Sequence, residues 1–265
     1  MNKSTAIVRA VVSDYLTYRA NFLFWRFRNL ISYLSLIVFW QALFQHSDQV
    51  FSYTEKEMMT YILGIAFISN GILGSLVGSI AGQIRSGEIT RDLMYPWNIF
   101  WMLFLRDLVD KSFNIIFLIP EAILLIAFFH ITIVFPSSLL TIGVFFVFLL
   151  SALFLFFFLN LFLSLTAFWT DDVWAVRWLF GVILFDFFSG LYFPLDILPT
   201  WLFRIISFTP FPYVAYFPMK LWLGDLSIAQ GVQAIAVTSL WGVIFYFVTR
   251  KLFNWGIKDY GAYGN

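Results

Sequence analysis

The chain contains no cysteine. That excludes disulfides, thiol catalysis and cysteine-ligated metals, and it leaves the compartment open. Charge is also scarce: 12% of the 265 residues are Asp, Glu, Lys or Arg, against about 25% in a soluble domain. The net charge of +1 gives no electrostatic case for nucleic acid. No GxxxxGK[ST] phosphate loop and no HExxH occur, so the chain holds no P-loop nucleotide site and no zincin site. The two histidines, His46 and His130, fall at the outer ends of apolar runs, where a structural role outweighs a ligand role. No Ser/His/Asp arrangement stands out. The N-terminal stretch lacks the apolar core and small-residue cleavage site of a signal peptide.

Apolar residues fill the space that charge leaves. They make up 61% of the chain, with 35 Phe and 11 Trp, and the mean hydropathy is +0.86. A bilayer core takes about 20 apolar residues per helix. The sequence predicts an all-α polytopic membrane protein with six spans, at about 27–44, 58–82, 112–134, 139–168, 173–193 and 228–248. They form one transmembrane domain over 1–265, with too little polar sequence left for a soluble catalytic domain.

Lys and Arg set the orientation. Lys3, Arg9, Arg19, Arg26 and Arg28 precede the first span. Arg85, Arg91, Arg106 and Lys111 lie between the second and third, and Arg177 near the turn between the fourth and fifth. Arg250, Lys251 and Lys258 follow the sixth, and only Lys56, Arg204 and Lys220 fall on the other side. Both termini and the segment 82–98 are thus expected in the cytoplasm. Trp25, Trp97, Trp101, Trp169, Trp174 and Trp255 fit an inner aromatic belt.

Residues 1–26 carry apolar side chains at helical spacing, interrupted by Lys3, Arg9 and Asp14. That pattern predicts an interfacial helix on membrane lipid; an extension of the first span is the alternative. The second span holds a ladder of small residues, Gly71, Gly74, Ser75, Gly78, Ser79 and Gly82, suited to close helix packing. Between the last two spans, 194–225 concentrates Pro194, Pro199, Pro210, Pro212 and Pro218. No continuous helix runs through that spacing. The segment is expected to fold back as an outer re-entrant hairpin, with an amphipathic outer loop as the alternative.

Asp171 and Asp172 are expected to cap the fifth span. Glu121, after Pro120, and Asp186 fall inside spans, where acids mark a pathway or a paired partner. No base is found at matching depth, so both are candidates for a pathway that favours cationic substrates. The competing reading is a neutral, hydrogen-bonded acid between helices.

The charged segment GQIRSGEITRDLMYPWN, 82–98, has internal order. Gly87 permits a turn. Glu88, Arg91 and Asp92 share one face of a short helix, Ile89, Leu93 and Met94 the other, and Pro96 ends it. Arg106 with Asp110, and Asp107 with Lys111, are spaced as opposite-charge pairs at the foot of the third span. By itself this segment is also compatible with a solvated loop.

Together, the amphipathic N-terminal helix, the six spans and GEI-x-x-D-L-M-x-P at Gly87 to Pro96 resemble the permeases of type-2 ABC exporters. The stretches SGLYFPLDILPTWL (189–202) and PFPYVAYFP (210–218), and the Tyr/Gly-rich ending, resemble the branch that includes viologen and drug exporters. The resemblance implies a coupling helix over 85–96, carried by Arg85, Gly87, Glu88, Ile89, Arg91, Asp92, Leu93, Met94 and Pro96. It implies ATP-binding cassette subunits that bind ATP and Mg in this chain's stead, so the chain has no cofactor of its own. It also implies a second permease subunit, identical or homologous, a bacterial inner membrane and export by alternating access, with Pro194, Pro199, Pro210 and Pro212 in an outer gate. Export of a lipid-linked glycan or lipid by the same fold is the first rival. A secondary transporter is the second, disfavoured because neither a repeat nor paired broken helices are recognised. An intramembrane enzyme or a scaffold is the third.

Overall fold

A computed structural model describes residues 3–95, 97–170 and 172–260, without the side chains of Lys3, Leu76, Val77, Trp174, Arg177, Val182 and Asp259. Pro96, Asp171 and the last part of the Tyr/Gly-rich ending lie outside the described residues. The structure is all-helical apart from one two-stranded hairpin.

Helix α1 (Lys3–Thr17) is separated at Tyr18 from α2 (Arg19–Phe44). The first helix therefore stops short of the expected boundary at 26, and Arg26 belongs to the long apolar helix. Strands β1 (Gln49–Val50) and β2 (Tyr53–Thr54) pair antiparallel. Helix α3 (Glu55–Ile68) then starts on a reciprocal cap between Thr54 and Glu57.

The expected second span is not one helix. After α3 the backbone widens into a π-turn at Ser69–Leu73, and Gly74 N–H donates to the Ser69 carbonyl. Gly74 itself is extended. The chain resumes as a 3-10 turn (Leu76–Ser79) and α4 (Ile80–Arg85). The small-residue ladder is split by this break, so it forms no single packing stripe. Gly71 faces Ile115, whereas nothing lies within 4 Å of the Cβ position at Gly82.

Helix α5 (Ile89–Leu93) leads to α6 (Ile99–Phe129), capped by the Asn98 side chain and carrying Pro120 in its interior. Helix α7 (Leu139–Leu165) follows. The expected fifth span is helical without a gap over 173–188 and widens midway: α8 (Val173–Arg177), a π-turn (Trp178–Leu184) and α9 (Phe185–Phe188). Asp172 Oδ1 accepts from the Ala175 amide, the capping role expected for it.

The proline-rich segment breaks at its prolines. It forms a 3-10 turn at Leu195–Ile197, α10 (Thr200–Ser207), a 3-10 turn at Phe211–Tyr213 and α11 (Tyr216–Leu223). Pro194, Pro199 and Pro210 each sit at the N-cap of a piece, and Pro212 inside the second 3-10 turn. Gly190, with φ +87, turns the chain into this segment where Tyr61 donates to its carbonyl at 2.6 Å. Helix α12 (Ile228–Asp259) closes the fold.

Among the described residues, four helices are long and apolar enough to cross a membrane: Arg19–Phe44, Ile99–Phe129, Leu139–Phe168 and Ile228–Lys258. The core forms where α7 packs along α12 and where α3, α9 and α11 cover α7. A second cluster joins Ile84, Ile89, Leu103, Leu161 and Phe253, binding the charged segment to the feet of α6, α7 and α12. Close approach at that end depends on Gly256, whose Cβ position lies 2.3 Å from the Phe168 ring. Gly256→Val is expected to destabilise the purified protein by about 1–3 kcal/mol through overpacking. Gly82→Ala should leave the thermal melting curve unchanged.

Candidate functional site

One face of α6 carries a series of buried polar side chains, and each reaches a different element. At its foot, Arg106 Nη1 lies 2.9 Å from Asp92 Oδ2, which ties α5 to α6. This contact corrects the expected faces of the short helix. Asp92 and Ile89 turn inward, while Glu88, Arg91 and Met94 are exposed, Met94 at 81%. Asp92 points in because an ion pair awaits it there. Arg85 is exposed, Leu93 is half-buried, and Gly87 makes the turn with φ +82.

Next to Arg106 on α6, Asp107 forms an ion pair at 2.7 Å with Lys111, one turn further, the side chains 0% and 3% exposed. Both reach the break in the second span. Ser75 Oγ donates to Asp107 Oδ1 at 2.6 Å, and Lys111 Nζ donates to the carbonyl of Gly74. A carbonyl freed by a helix break inside a bilayer needs such a donor. Of the two pairs expected on α6, only this one forms. Asp110 instead accepts from the Tyr15 hydroxyl of α1.

Deeper on α6, Glu121 is held by one edge of the Arg26 guanidinium: Nε donates to Oε1 at 2.9 Å, and Nη2 to Oε2. Arg26 Nη1 also donates to Asn70 Oδ1, and Asn70 Nδ2 to the Tyr33 hydroxyl at 2.8 Å. The expectation that no base matches Glu121 is thereby corrected. Arg26 was placed outside the first span by the boundary at 26, but it lies inside α2, 4% exposed. Its position in the aromatic run NFLFWRF was the available signal, because a base set among such residues needs a buried partner. Glu121 is therefore committed to Arg26.

Asp186 sits elsewhere. It lines a cavity of about 650 Å³ bounded by α2, the broken second span, α7 and the π-turn of the fifth span. Trp25, Arg28, Arg85, Asn160 and Trp178 share that lining. The volume falls within the roughly 300–1,000 Å³ of small-molecule sites. Sequence reasoning missed Trp25, Arg28 and Asn160 because no spacing rule connects them to Asp186.

At the opposite end of the helices a polar cluster fastens the proline-rich segment. Lys220 Nζ reaches Asp196 at 2.9 Å, Asp225 and the Tyr53 hydroxyl, and Tyr53 donates to Asp196. Burial first, and then the Asp196 charge beside it, hold the Tyr53 phenol well above its ordinary pKa, so it stays a donor. Among the described residues, no group of three or more His, Asp or Glu could hold a metal ion.

A family model described as an ABC-2 family transporter protein matches residues 30–264. No curated protein matches the chain.

Breaking one half of a buried ion pair strands the other charge, at a cost of about 3–5 kcal/mol. Arg26→Met is expected to lose that much in denaturant titrations of the purified protein. Adding Glu121→Met should recover most of it; a double variant as unstable as the single would show that the pair is not coupled.

Proposed function

The chain belongs to the ABC-2 transporter family, and from that premise we propose how it works as the membrane permease of an ABC transporter. The family implies partnership with an ATP-binding cassette ATPase and suggests a non-catalytic membrane subunit. ATP and Mg are then held by the ATPase, and two permease subunits, identical or homologous, form the transporter. Each chain crosses a bacterial inner membrane six times, with the second span interrupted. Both termini and α5 face the cytoplasm, α1 lies on the membrane surface, and 194–225 re-enters from outside as the exit gate.

The observation that supports coupling through α5 is the Asp92–Arg106 pair. It anchors α5 by its inner face and leaves Glu88, Arg91 and Met94 outward, where an ATPase groove can take them. ATP-driven closure of the ATPases would press α5 against the foot of α6 and bias the permease between inward and outward access.

The pathway in this reading includes the cavity beside Asp186, and the cargo is a small hydrophobic molecule with a charged or polar group, moved outward. Its aromatic and aliphatic walls support that class, and its volume favours a small molecule over a lipid-linked glycan. Ion-gradient transport calls for paired broken helices, and among the described residues the break lies in the second span alone, at Gly74. Family membership also weighs against it.

Glu88→Lys reverses a charge on the exposed face of α5 without touching its packing. It is expected to lower cargo-stimulated ATP hydrolysis of the purified complex at least tenfold while the chain still inserts and elutes with its ATPase. Full stimulation in that variant would remove α5 from the coupling role.

A further inference from the structure

At Tyr260 the chain leaves α12 beside the segment that leads into α5. The Tyr260 hydroxyl donates to the carbonyl of Ile84 at 2.6 Å, across 176 positions of sequence. Ile84 lies in the last turn of α4, where carbonyls have no further turn to bond them. The Gly87 amide donates to the same oxygen at 3.3 Å, longer than an ordinary bond of that kind. The tyrosine is therefore the close partner of this carbonyl.

The ring that carries the hydroxyl is held from two sides. It meets Phe168 edge to face, with centroids 5.5 Å apart. Phe168 ends the 3-10 turn that follows α7. Phe253 of α12 meets the same ring at 6.3 Å, and Gly256 lets the two backbones close on it. The position of Tyr260 is thus set by α7 and α12, the two helices that pack along each other in the core.

The chain turns at Gly87, just beyond Ile84, and enters α5. Two tethers therefore flank that entry and exit. After Ile89 comes the Asp92–Arg106 pair, whose arginine is 30% exposed and so partly screened by solvent. Before Ile89 comes the Tyr260 bond, which is uncharged and part-buried. Ile89 itself is 1% exposed and packs among Leu103, Leu161 and Phe253. A short helix held at one end swivels about that end when its outer face is pushed. Held at both ends, it moves as a unit and loads every element it is tied to.

We infer that Tyr260 is a positioning residue for coupling: its hydroxyl ties the entry of α5 to α7 and α12, as Arg106 ties the exit to α6. A push on Glu88, Arg91 and Met94 then reaches three long helices at once. Phenylalanine at this position keeps the ring against Phe168 but leaves the Ile84 carbonyl with the long Gly87 bond alone.

This inference rests on the reading of α5 as the coupling helix, so the test reads the tether and the coupling separately. The permease with its ATPase subunits is placed in phosphatidylcholine nanodiscs. Without nucleotide, Tyr260→Phe is expected to speed hydrogen exchange of the amides of 86–95 about threefold to tenfold, with 99–129 unchanged. For coupling, Asn160→Cys puts a thiol on the cavity wall of a permease that has no cysteine of its own. Its labelling by N-ethylmaleimide, followed by the mass of the permease chain, is compared without nucleotide and with ATP plus orthovanadate. The difference between the two rates is expected to shrink about threefold or more in Tyr260→Phe. Tyr246→Phe removes another hydroxyl from α12, one that accepts from exposed Arg250 at 3.3 Å, and should change neither measurement. Exchange that ignores Tyr260→Phe overturns the tether. Faster exchange with an undiminished labelling response makes the bond structural only and overturns the inference. If Glu88→Lys abolishes the response and Tyr260→Phe leaves it whole, α5 keeps its coupling role and Tyr260 loses its own. A full response in Glu88→Lys removes α5 from coupling and this inference with it.

Discussion

The hydrogen bond from Lys111 to the carbonyl of Gly74 is the contact on which the rest of this bundle depends. The second span breaks at Gly74, and the backbone carbonyl released there loses its helical partner. Lys111 supplies the donor, Asp107 neutralises Lys111, and Ser75 completes Asp107. Remove the ammonium and the break exposes an orphan acceptor while Asp107 becomes a buried, uncompensated charge. The three groups therefore work as one unit, and a straight second helix would need none of them. The break in turn bends the second span past the cavity, so that Leu73, Gly78, Ala81, Gly82 and Arg85 can line it together.

The Arg26–Glu121 pair serves a different purpose. Its geometry is bidentate, and it adds Asn70 and Tyr33, so α2, the π-turn and α6 meet at one point. Buried pairs of this kind seldom add net stability over apolar packing. What this one adds is registry, because a slip of α2 by one residue would strand both charges. It also decides which acid is available to cargo. Glu121 satisfies its own element of structure, and Asp186 is the acid left on the cavity wall.

Much of this fold was legible in the sequence. Apolar run lengths gave the long helices, and proline spacing gave the short pieces of 194–225. The break in the second span and the π-turn in the fifth were not legible, since hydropathy averages over such features and sees only a long apolar run. The small-residue ladder was read as a packing stripe because that reading presumes an unbroken helix. Assigning the residues of α5 to faces by charge alone fails for Asp92, because Arg106 pulls it inward from the next helix. Arg26 and Glu121 are 95 positions apart, and no periodicity links them. Pairings across helices were the part that local pattern could not supply.

Helix α6 joins these units physically. Arg106 and Asp107 are adjacent residues: one holds α5, and the other clamps the break in the second span. Lys111 lies one turn further, and Glu121 about 15 Å beyond Lys111 at ~1.5 Å per residue. A displacement of α5 is delivered first to Arg106, and the side chain next to it already grips the most irregular part of the cavity wall. Packed helices are stiff along their axes and transmit a shift without absorbing it. On the proposed reading, a small movement at the ATPase surface therefore has a short path, through two neighbouring residues of one helix, to the break that shapes the cavity. The Arg26 knot fixes the far part of α6 against α2, so that the foot of the helix is where movement is concentrated.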